Sequence, residues 1–281
     1  MPELPEVETT VLGLQKEIVG HKILDVWTDL RTKDKRKKDT VSEPAFFNIF
    51  KKEVVGKKIT EVKRRAKNIL IHLSGNKTIL VHMKMTGRML VKNHDKYVHV
   101  LFTLSGGKKL AFSDPRKFGK MTLLDTKNMH ESKHLKDLGP EPLEKGFTLE
   151  TFKERLTKKP NGKIKTVLMD QSILVGVGNI YSDEVLWRAD VHPERLVRNI
   201  NNKELRKIYE STKILLNKGI DFGGDSMSDY INVYGEKGNF QSEHTVYGLR
   251  GEKCKKKSCH GVIIRKVVNG RSAHFCDKHQ I

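Results

Sequence analysis

Three cysteines, all beyond residue 250, carry the most explicit chemistry in this chain. The tail reads Cys254, four residues, Cys259, sixteen residues, then Cys276, two residues, His279. Cys-x2-His is a ligand pair, because two intervening residues let both side chains turn into one tetrahedral site, and a spacing of four is still within ligand range. An odd, clustered set of cysteines points to metal binding rather than to disulfides. Between the pairs, Val262 to Phe275 reads as a β-hairpin turning at Asn269-Gly270. A piece this small buries no core of its own, so a metal must close it. The expectation is one structural zinc on Cys254, Cys259, Cys276 and a histidine. His279 fits best by spacing, with His260 and His274 as competitors. Four protein ligands leave no position open for catalysis.

The other end of the chain begins Met1-Pro2-Glu3-Leu4-Pro5-Glu6-Val7-Glu8-Thr9. A small second residue favours removal of Met1, which would leave Pro2 with a free secondary amine. An α-amine has a pKa of about 8, so a usable neutral fraction exists near pH 7. Amines attack carbon to give Schiff bases, and Glu3 and Glu6 offer acid or base beside the amine. Taken by itself, the segment reads better as an ordinary helix start, with Pro and Glu where first turns take them.

Composition says which partner such groups would meet. Among 281 residues, 54 Lys and Arg face 34 Asp and Glu, a net charge of +20. A charge of that size suggests a polyanion, and taken alone it fits a merely soluble basic protein equally well. Nucleic acid fits better than anionic lipid, since no basic amphipathic helix stands out. The length suits two domains. No run of eighteen apolar residues exists, so no segment reads as a membrane span. The first ten residues are acidic and proline-bearing, unlike a signal peptide, which leads to the expectation of a cytosolic protein.

The elements that must position these residues follow from periodicity. Val7, Val11, Leu14 and Ile18 recur at helical spacing over Glu6 to Val19. The basic run Arg31 to Lys38 has no apolar period and reads as a solvated loop. From Lys58 to Leu124 the pattern is of short strands (ITEVKRR, ILIHL, TILVHM, VHVLFTL, KLAFS, KMTLL) separated by turns such as Ser74-Gly75-Asn76 and Ser105-Gly106-Gly107, an antiparallel sandwich or barrel. Leu138-Gly139-Pro140-Glu141-Pro142 reads as a stiff linker. Helices follow: one capped by Thr148 and running to Leu156, then Ile164 to Met169, Ile180 to Arg188 after a Gly176-Val177-Gly178-Asn179 turn, and a long one capped by Asn202, running to Asn217 and ended by Gly219. A segment rich in Gly and Ser, Gly223 to Asn239, precedes the Cys/His tail.

Several separate stretches, in order, carry a resemblance that covers nearly the whole chain. MPELPEVET at the start, RRAK at Arg64 to Lys67, HMKMTGR at His82 to Arg88, SDPRKFG at Ser113 to Gly119, LGPEPL at Leu138 to Leu143, MDQSILVGVGNIYSDEVLW at Met169 to Trp187, and the tail's VYGLRGEKC and NGRSAHFC resemble the bacterial formamidopyrimidine-DNA glycosylases. The resemblance implies an α+β multidomain fold: an N-terminal antiparallel β-sandwich with a leading helix (1–137), a linker (138–147), a helical domain with a helix–two-turns–helix motif and a lesion-capping loop (148–243), and a zinc-finger β-hairpin (244–281). It implies a bifunctional glycosylase and lyase of base excision repair, acting as a monomer on double-stranded DNA that holds an oxidised purine or an abasic site, in the cytoplasm and nucleoid of a bacterium.

The resemblance also assigns roles residue by residue. Pro2 would attack the sugar C1′ and form an imine, and eliminations would then cut the strand on both sides. Glu3 would shuttle protons, Glu6 would position the N-terminus, and Lys67 and Arg271 would complete the catalytic set on the DNA. Chemistry on a base requires the base to leave the stack. Met85 as an apolar plug, Arg116 as a donor to the orphaned cytosine and Phe118 as a stacking ring would fill the gap. His82, Lys165 and Asn179 would bind DNA, Asn179 at a helix N-terminus suited to phosphate. The chain departs from the family pattern at Ala66 and Asn68, where Gly and Tyr are expected, and at Lys84, where Gly is usual. The segment Gly223 to Asn239 departs furthest.

Overall fold

The computed structural model describes residues 1–32, 34–91 and 95–281. They divide into two compact units, 1–136 with 223–239, and 137–222 with 240–281.

The first unit opens with α1 (Leu4–Ile18), two residues earlier than its apolar period suggests. The reason lies in the cap. The Glu3 side chain accepts from the first-turn backbone while the Glu6 side chain accepts the Glu3 N–H, a reciprocal box that fixes the start. Val7, Val11, Leu14 and Ile18 face the core as their spacing predicts. Two four-stranded antiparallel sheets share that core. One orders β1 (Ile23–Thr28), β6 (Val98–Leu104), β7 (Lys109–Ser113) and β5 (Arg88–Leu90). The other orders β2 (Ile59–Arg65), β3 (Asn68–Leu73), β4 (Lys77–His82) and β8 (Lys120–Asp125). Ile69, Ile71 and Leu73 of β3 meet Val100, Phe102 and Phe112 in one continuous cluster, the sandwich expected from the strand pattern.

Two elements were not apparent in the sequence. Strand β1 has a weak pattern with only two fully buried positions. Helix α2 (Pro44–Val54) is rich in aromatic residues, and Phe46, Phe47 and Phe50 pack in succession beneath it. Within the basic run Arg31 to Lys38, Lys33 lies outside the described residues; residues 35–37 form a short 3-10 turn tied down by Lys37 Nζ donating to Lys117 O at 2.5 Å.

The second unit holds α3 (Leu149–Thr157), α4 (Ile164–Leu168), α5 (Asn179–Ala189), α6 (Asn202–Asp221) and the hairpin β9 (Ile263–Val268) and β10 (Arg271–Cys276). Thr148 Oγ1 accepts the Thr151 N–H, the expected cap. The cap of α6 is Asn201, not Asn202: its Oδ1 accepts from Lys203 N and Glu204 N, both at 3.0 Å. The helix then runs through Gly219 instead of ending there. The hairpin turns at Asn269 (φ +46°) and Gly270 (φ +75°), the paired left-handed residues that this dipeptide favours.

Two of the expected boundaries move. The Leu138-Gly139-Pro140 stretch packs within the second unit and is not a free linker. Gly139 N donates to Gln171 O and Val175 N to Pro140 O, and a Cβ on Gly139 would sit 2.8 Å from the Ser172 and Ile173 carbonyls. The segment Gly223 to Asn239, expected with the helices, belongs to the first unit, where Val91 N donates to Val233 O and Val233 joins the sandwich core.

Candidate active site and metal centre

In the first unit, the N-terminal residues are held by their own helix. Pro2, Glu3 and Glu6 are buried. Glu6 is the junction. Its Oε2 accepts from Glu3 N at 2.6 Å and its Oε1 from Asp225 N at 2.8 Å, so one carboxylate joins the N-terminus to the segment 223–239. Burial, reinforced by the charge of Glu3, pushes the Glu6 carboxyl up to about 7. Gly224 (φ +90°) lets the segment pass: a Cβ there would lie 2.8 Å from the Tyr230 ring and 3.0 Å from Glu6 Cγ.

Lys67 occupies the two-residue turn between β2 and β3 and is buried to 5 % exposure. The turn is braced from α1. Arg64 Nε donates to Glu8 Oε2 at 2.6 Å while Arg64 Nη1 donates to Ala66 O at 3.1 Å. Asn68 Nδ2 donates to Arg65 O, closing the turn. Ala66 sits at φ +56° and Lys84 also at φ +56°, a conformation that costs an L-residue about 1–2 kcal/mol. These are the two positions where the family pattern calls for Gly. Ala66→Gly and Lys84→Gly are each expected to raise stability by roughly 0.5–1 kcal/mol, strain relief less the added unfolded-state freedom. Thermal unfolding checks this, and an unchanged or lower Tm would show that the strain does not exceed the freedom glycine adds to the unfolded chain.

Met85 and Phe118 project as exposed apolar side chains at the ends of two loops, and the Arg116 guanidinium lies 4.6 Å from the Phe118 ring centroid. A buried residue without an assigned role holds both loops: Asp114. Its Oδ1 accepts from Thr86 Oγ1 at 2.5 Å and its Oδ2 from Gly119 N at 2.6 Å. The Asp-Pro step in SDPRKFG was the available signal, since Asp so placed turns its carboxylate back on the following amides. His82, expected on DNA, uses Nδ1 to accept the Lys84 N–H at 3.0 Å. Burial, then the nearby Lys84 and Lys67 charges, pushes it down to about 3. It is a neutral ring that shapes the Met85 loop.

In the second unit, Asn179 begins α5, and its Nδ2 donates to Ser272 Oγ at 3.0 Å, beside the exposed Arg271 on β10. The two expected phosphate contacts are thereby brought together. Lys165 is not with them. It is fully buried, with Nζ 2.5 Å from Asp183 Oδ1, and so cannot grip the strand as expected. Asp183 Oδ2 accepts from His274 N at 2.8 Å, so the pair links α4, α5 and β10. Glu184, also unassigned from sequence, accepts from the backbone of Thr245, Val246 and Tyr247 and from the Thr245 hydroxyl, anchoring the strand of chain that leads to the tail.

The Cys254, Cys259 and Cys276 Sγ atoms and a His279 ring nitrogen all lie within 4.8 Å of one another. Cys259 and Cys276 Sγ are 3.6 Å apart, and His279 Nδ1 is 3.4 Å from Cys254 Sγ. Tetrahedral thiolates at a zinc–sulfur bond of about 2.3 Å stand at about this separation. His279 Nε2 faces the Trp187 carbonyl at 3.3 Å, the outer hydrogen bond that orients a ligating imidazole. The competitors are placed elsewhere: His274 engages Asp183, and His260 is exposed outside the cluster. No helix among the described residues is long and apolar enough to cross a membrane.

Comparison with known proteins places this geometry. A family model described as the formamidopyrimidine-DNA glycosylase N-terminal domain matches residues 1–121, and one described as the formamidopyrimidine-DNA glycosylase H2TH domain matches residues 138–230. A formamidopyrimidine-DNA glycosylase of Herpetosiphon aurantiacus is 40% identical over 98% of each chain. A Lactococcus lactis Fpg solved with an abasic site containing DNA superposes with a TM-score of 0.86, at 33% identity over 99% of both chains. A mutant of that enzyme solved with a Fapy-dG containing DNA gives a TM-score of 0.87 at 34% identity, again over 99% of both.

Proposed function

Because the chain belongs to the formamidopyrimidine-DNA glycosylase family and is thus a DNA glycosylase of damaged DNA, we propose that it excises oxidised purines, 8-oxoguanine and formamidopyrimidines, through the amine of Pro2. With Met1 removed, the Pro2 nitrogen lone pair attacks C1′ of the damaged nucleotide, the bond from C1′ to the base breaks, and the base departs as its leaving nitrogen is protonated. Glu3 delivers a proton to the sugar ring oxygen as the ring opens to the imine. Loss of the 2′ proton expels the 3′ phosphate, a second elimination expels the 5′ phosphate, and hydrolysis returns the amine.

The observation that carries this reading is the Glu6 carboxylate, which fastens the residue after the nucleophile and the Asp225 amide at once. It supports a site in which an N-terminal amine and a loop over the extruded base are held to one point. Lys67, braced through Arg64 and Glu8, and the pair of Asn179 and Arg271 would grip the backbone on either side of the lesion without reading sequence. Met85, Arg116 and Phe118 would fill the vacated space, with Arg116 donating to the orphaned cytosine. Cys254, Cys259, Cys276 and His279 would hold one zinc, which keeps the hairpin folded and takes no part in the reaction. The working setting is the bacterial cytoplasm and nucleoid, with the protein acting as a monomer.

Borohydride reduction in the presence of a duplex holding 8-oxoguanine tests the mechanism. The expected result is a covalent protein–DNA adduct that is lost when the Pro2 amine is blocked by acetylation. No adduct with the parent protein, or an undiminished adduct with the acetylated protein, would overturn it.

A further inference from the structure

The lysine run between the first two cysteines has no part in the chemistry above. Cys254 and Cys259 pin its two ends, and the loop faces the exposed side of α6, where Lys207, Glu210, Ser211 and Ile214 share one face at helical spacing. Between them lies a cleft of about 480 Å³ whose other wall is Trp187 and Arg188 at the end of α5. Five cations line it against Glu210 alone. Part of that charge is structural: Lys207 and Lys256 both engage Asp190, at 2.7 and 2.5 Å. Lys255 Nζ donates to the His244 carbonyl at 2.8 Å, and Arg188 and Lys257 remain as the cations in excess. The walls also hold apolar surface, with Ile214 at 45 % exposure and the half-buried Trp187 ring.

The cleft is set apart from the expected DNA contacts of this unit. It sits toward the C-terminal end of α5, about 12–13 Å along the helix from Asn179. Its form suits a peptide better than a nucleic acid strand. A phosphate backbone wants an open track of cations, and a base wants a bare aromatic face. Here the Trp187 ring carries Lys256 Nζ at 5.2 Å and meets the His279 ring edge-on. Side-chain carboxylates flanking one apolar residue match the excess cations, the concavity and the Ile214 and Trp187 walls together.

We propose that the cleft between the Lys255–Lys257 loop and α6 docks an acidic peptide segment of a protein partner, with an apolar side chain of that segment packed on Ile214 and Trp187. This assignment is independent of the reaction proposed above. The test uses the full-length, metal-loaded protein with Trp27→Phe, which leaves Trp187 as the single tryptophan reporter. The probe is a short synthetic peptide of Asp and Glu flanking one central Leu, with sodium pyrophosphate and a single-stranded oligonucleotide as competitors. The expected result is a saturable change in Trp187 fluorescence. Lys257→Glu and Ile214→Glu should each weaken the peptide by roughly tenfold or more, with cleavage of lesion DNA unchanged. No saturable change up to ~1 mM peptide, or an affinity in both variants equal to the parent's, would overturn the proposal. So would pyrophosphate or oligonucleotide binding with the peptide's affinity and the same sensitivity, which would mark a general anion or nucleic acid site.

Discussion

Lys165→Met is expected to lower stability by about 3–5 kcal/mol, a fall in Tm on the order of 10 °C. Lys165 and Asp183 are both fully buried. Two charges in the interior persist only because each compensates the other's lost hydration, with Ser182 Oγ and the Asn179 carbonyl as additional partners of the ammonium. Methionine keeps the stem's volume and removes the charge, leaving Asp183 ionised in an apolar setting with the His274 N–H as its remaining backbone donor. A second change, Asp183→Asn, should recover at least half of the loss, because the pair fails through the orphaned charge rather than through packing. The measurement also separates the buried role from the surface role expected on sequence. A phosphate-gripping lysine, once removed, would leave stability intact and flatten the salt dependence of DNA binding. A loss below about 1 kcal/mol together with that flattening would refute the buried-pair account.

Glu6→Gln is expected to cut kcat/KM for lesion excision by roughly a hundredfold, because two backbone amides share this carboxylate and an amide side chain can accept from only one of them without turning its NH2 toward the other. The pH behaviour carries a second signature. The Glu6 carboxyl is raised from 4.5 to about 7 by burial and by Glu3, with Asp225 and the buried Tyr230 also facing it. A group whose pKa is raised on folding contributes stability that is full below its unfolded value and lost as pH climbs through the folded one. Glu6 should therefore cost the protein roughly 3 kcal/mol between pH 4.5 and about 7. As pH rises through about 7, ionisation of the folded-state carboxyl strengthens both amide bonds and so assembles the site. Relative to the parent, Glu6→Gln should lose the part of the acid limb in kcat/KM centred near pH 7 and show a flatter Tm against pH. Parallel Tm curves for the two proteins would refute the titration; undiminished kcat/KM would refute the bridge.

Local signals were the legible part of this protein. The Asn269-Gly270 hairpin, the Thr148 cap, the period of α1 and the Cys/His spacing each depend on residues a few positions apart, and each appears as read. What escaped depends on partners far along the chain. Asp225 meets Glu6 across 219 positions, so no composition could assign Gly223 to Asn239 to the first unit. Lys165 reads as a solvated lysine until Asp183 is seen to face it. His82 ends a continuously buried strand, and only the folded chain shows its Nδ1 turned back onto Lys84 N. Helix α2 was lost to its own composition: closely spaced phenylalanines satisfy a strand as readily as a helix, and Pro44 at the first turn was the overlooked sign.

Phe112 imposes one more constraint. Its ring tip stands 2.3 Å from where a Cβ on Gly119 would lie and 2.9 Å from one on Gly87, the two glycines that close the loops of Phe118 and Met85. The two positions differ in how a lineage of descendants can leave them. A Cβ on Gly87 also strikes the Met83 carbonyl at 2.4 Å, backbone that no neighbouring change removes. Gly119 meets mainly the ring, so a smaller residue at 112 opens the way to alanine there. That path crosses a valley, since trimming Phe112 first hollows the sandwich core at a cost of about 2–4 kcal/mol. Gly119 is thus replaceable in company and Gly87 is not, and variants of this enzyme that alter the first should carry their compensation at residue 112.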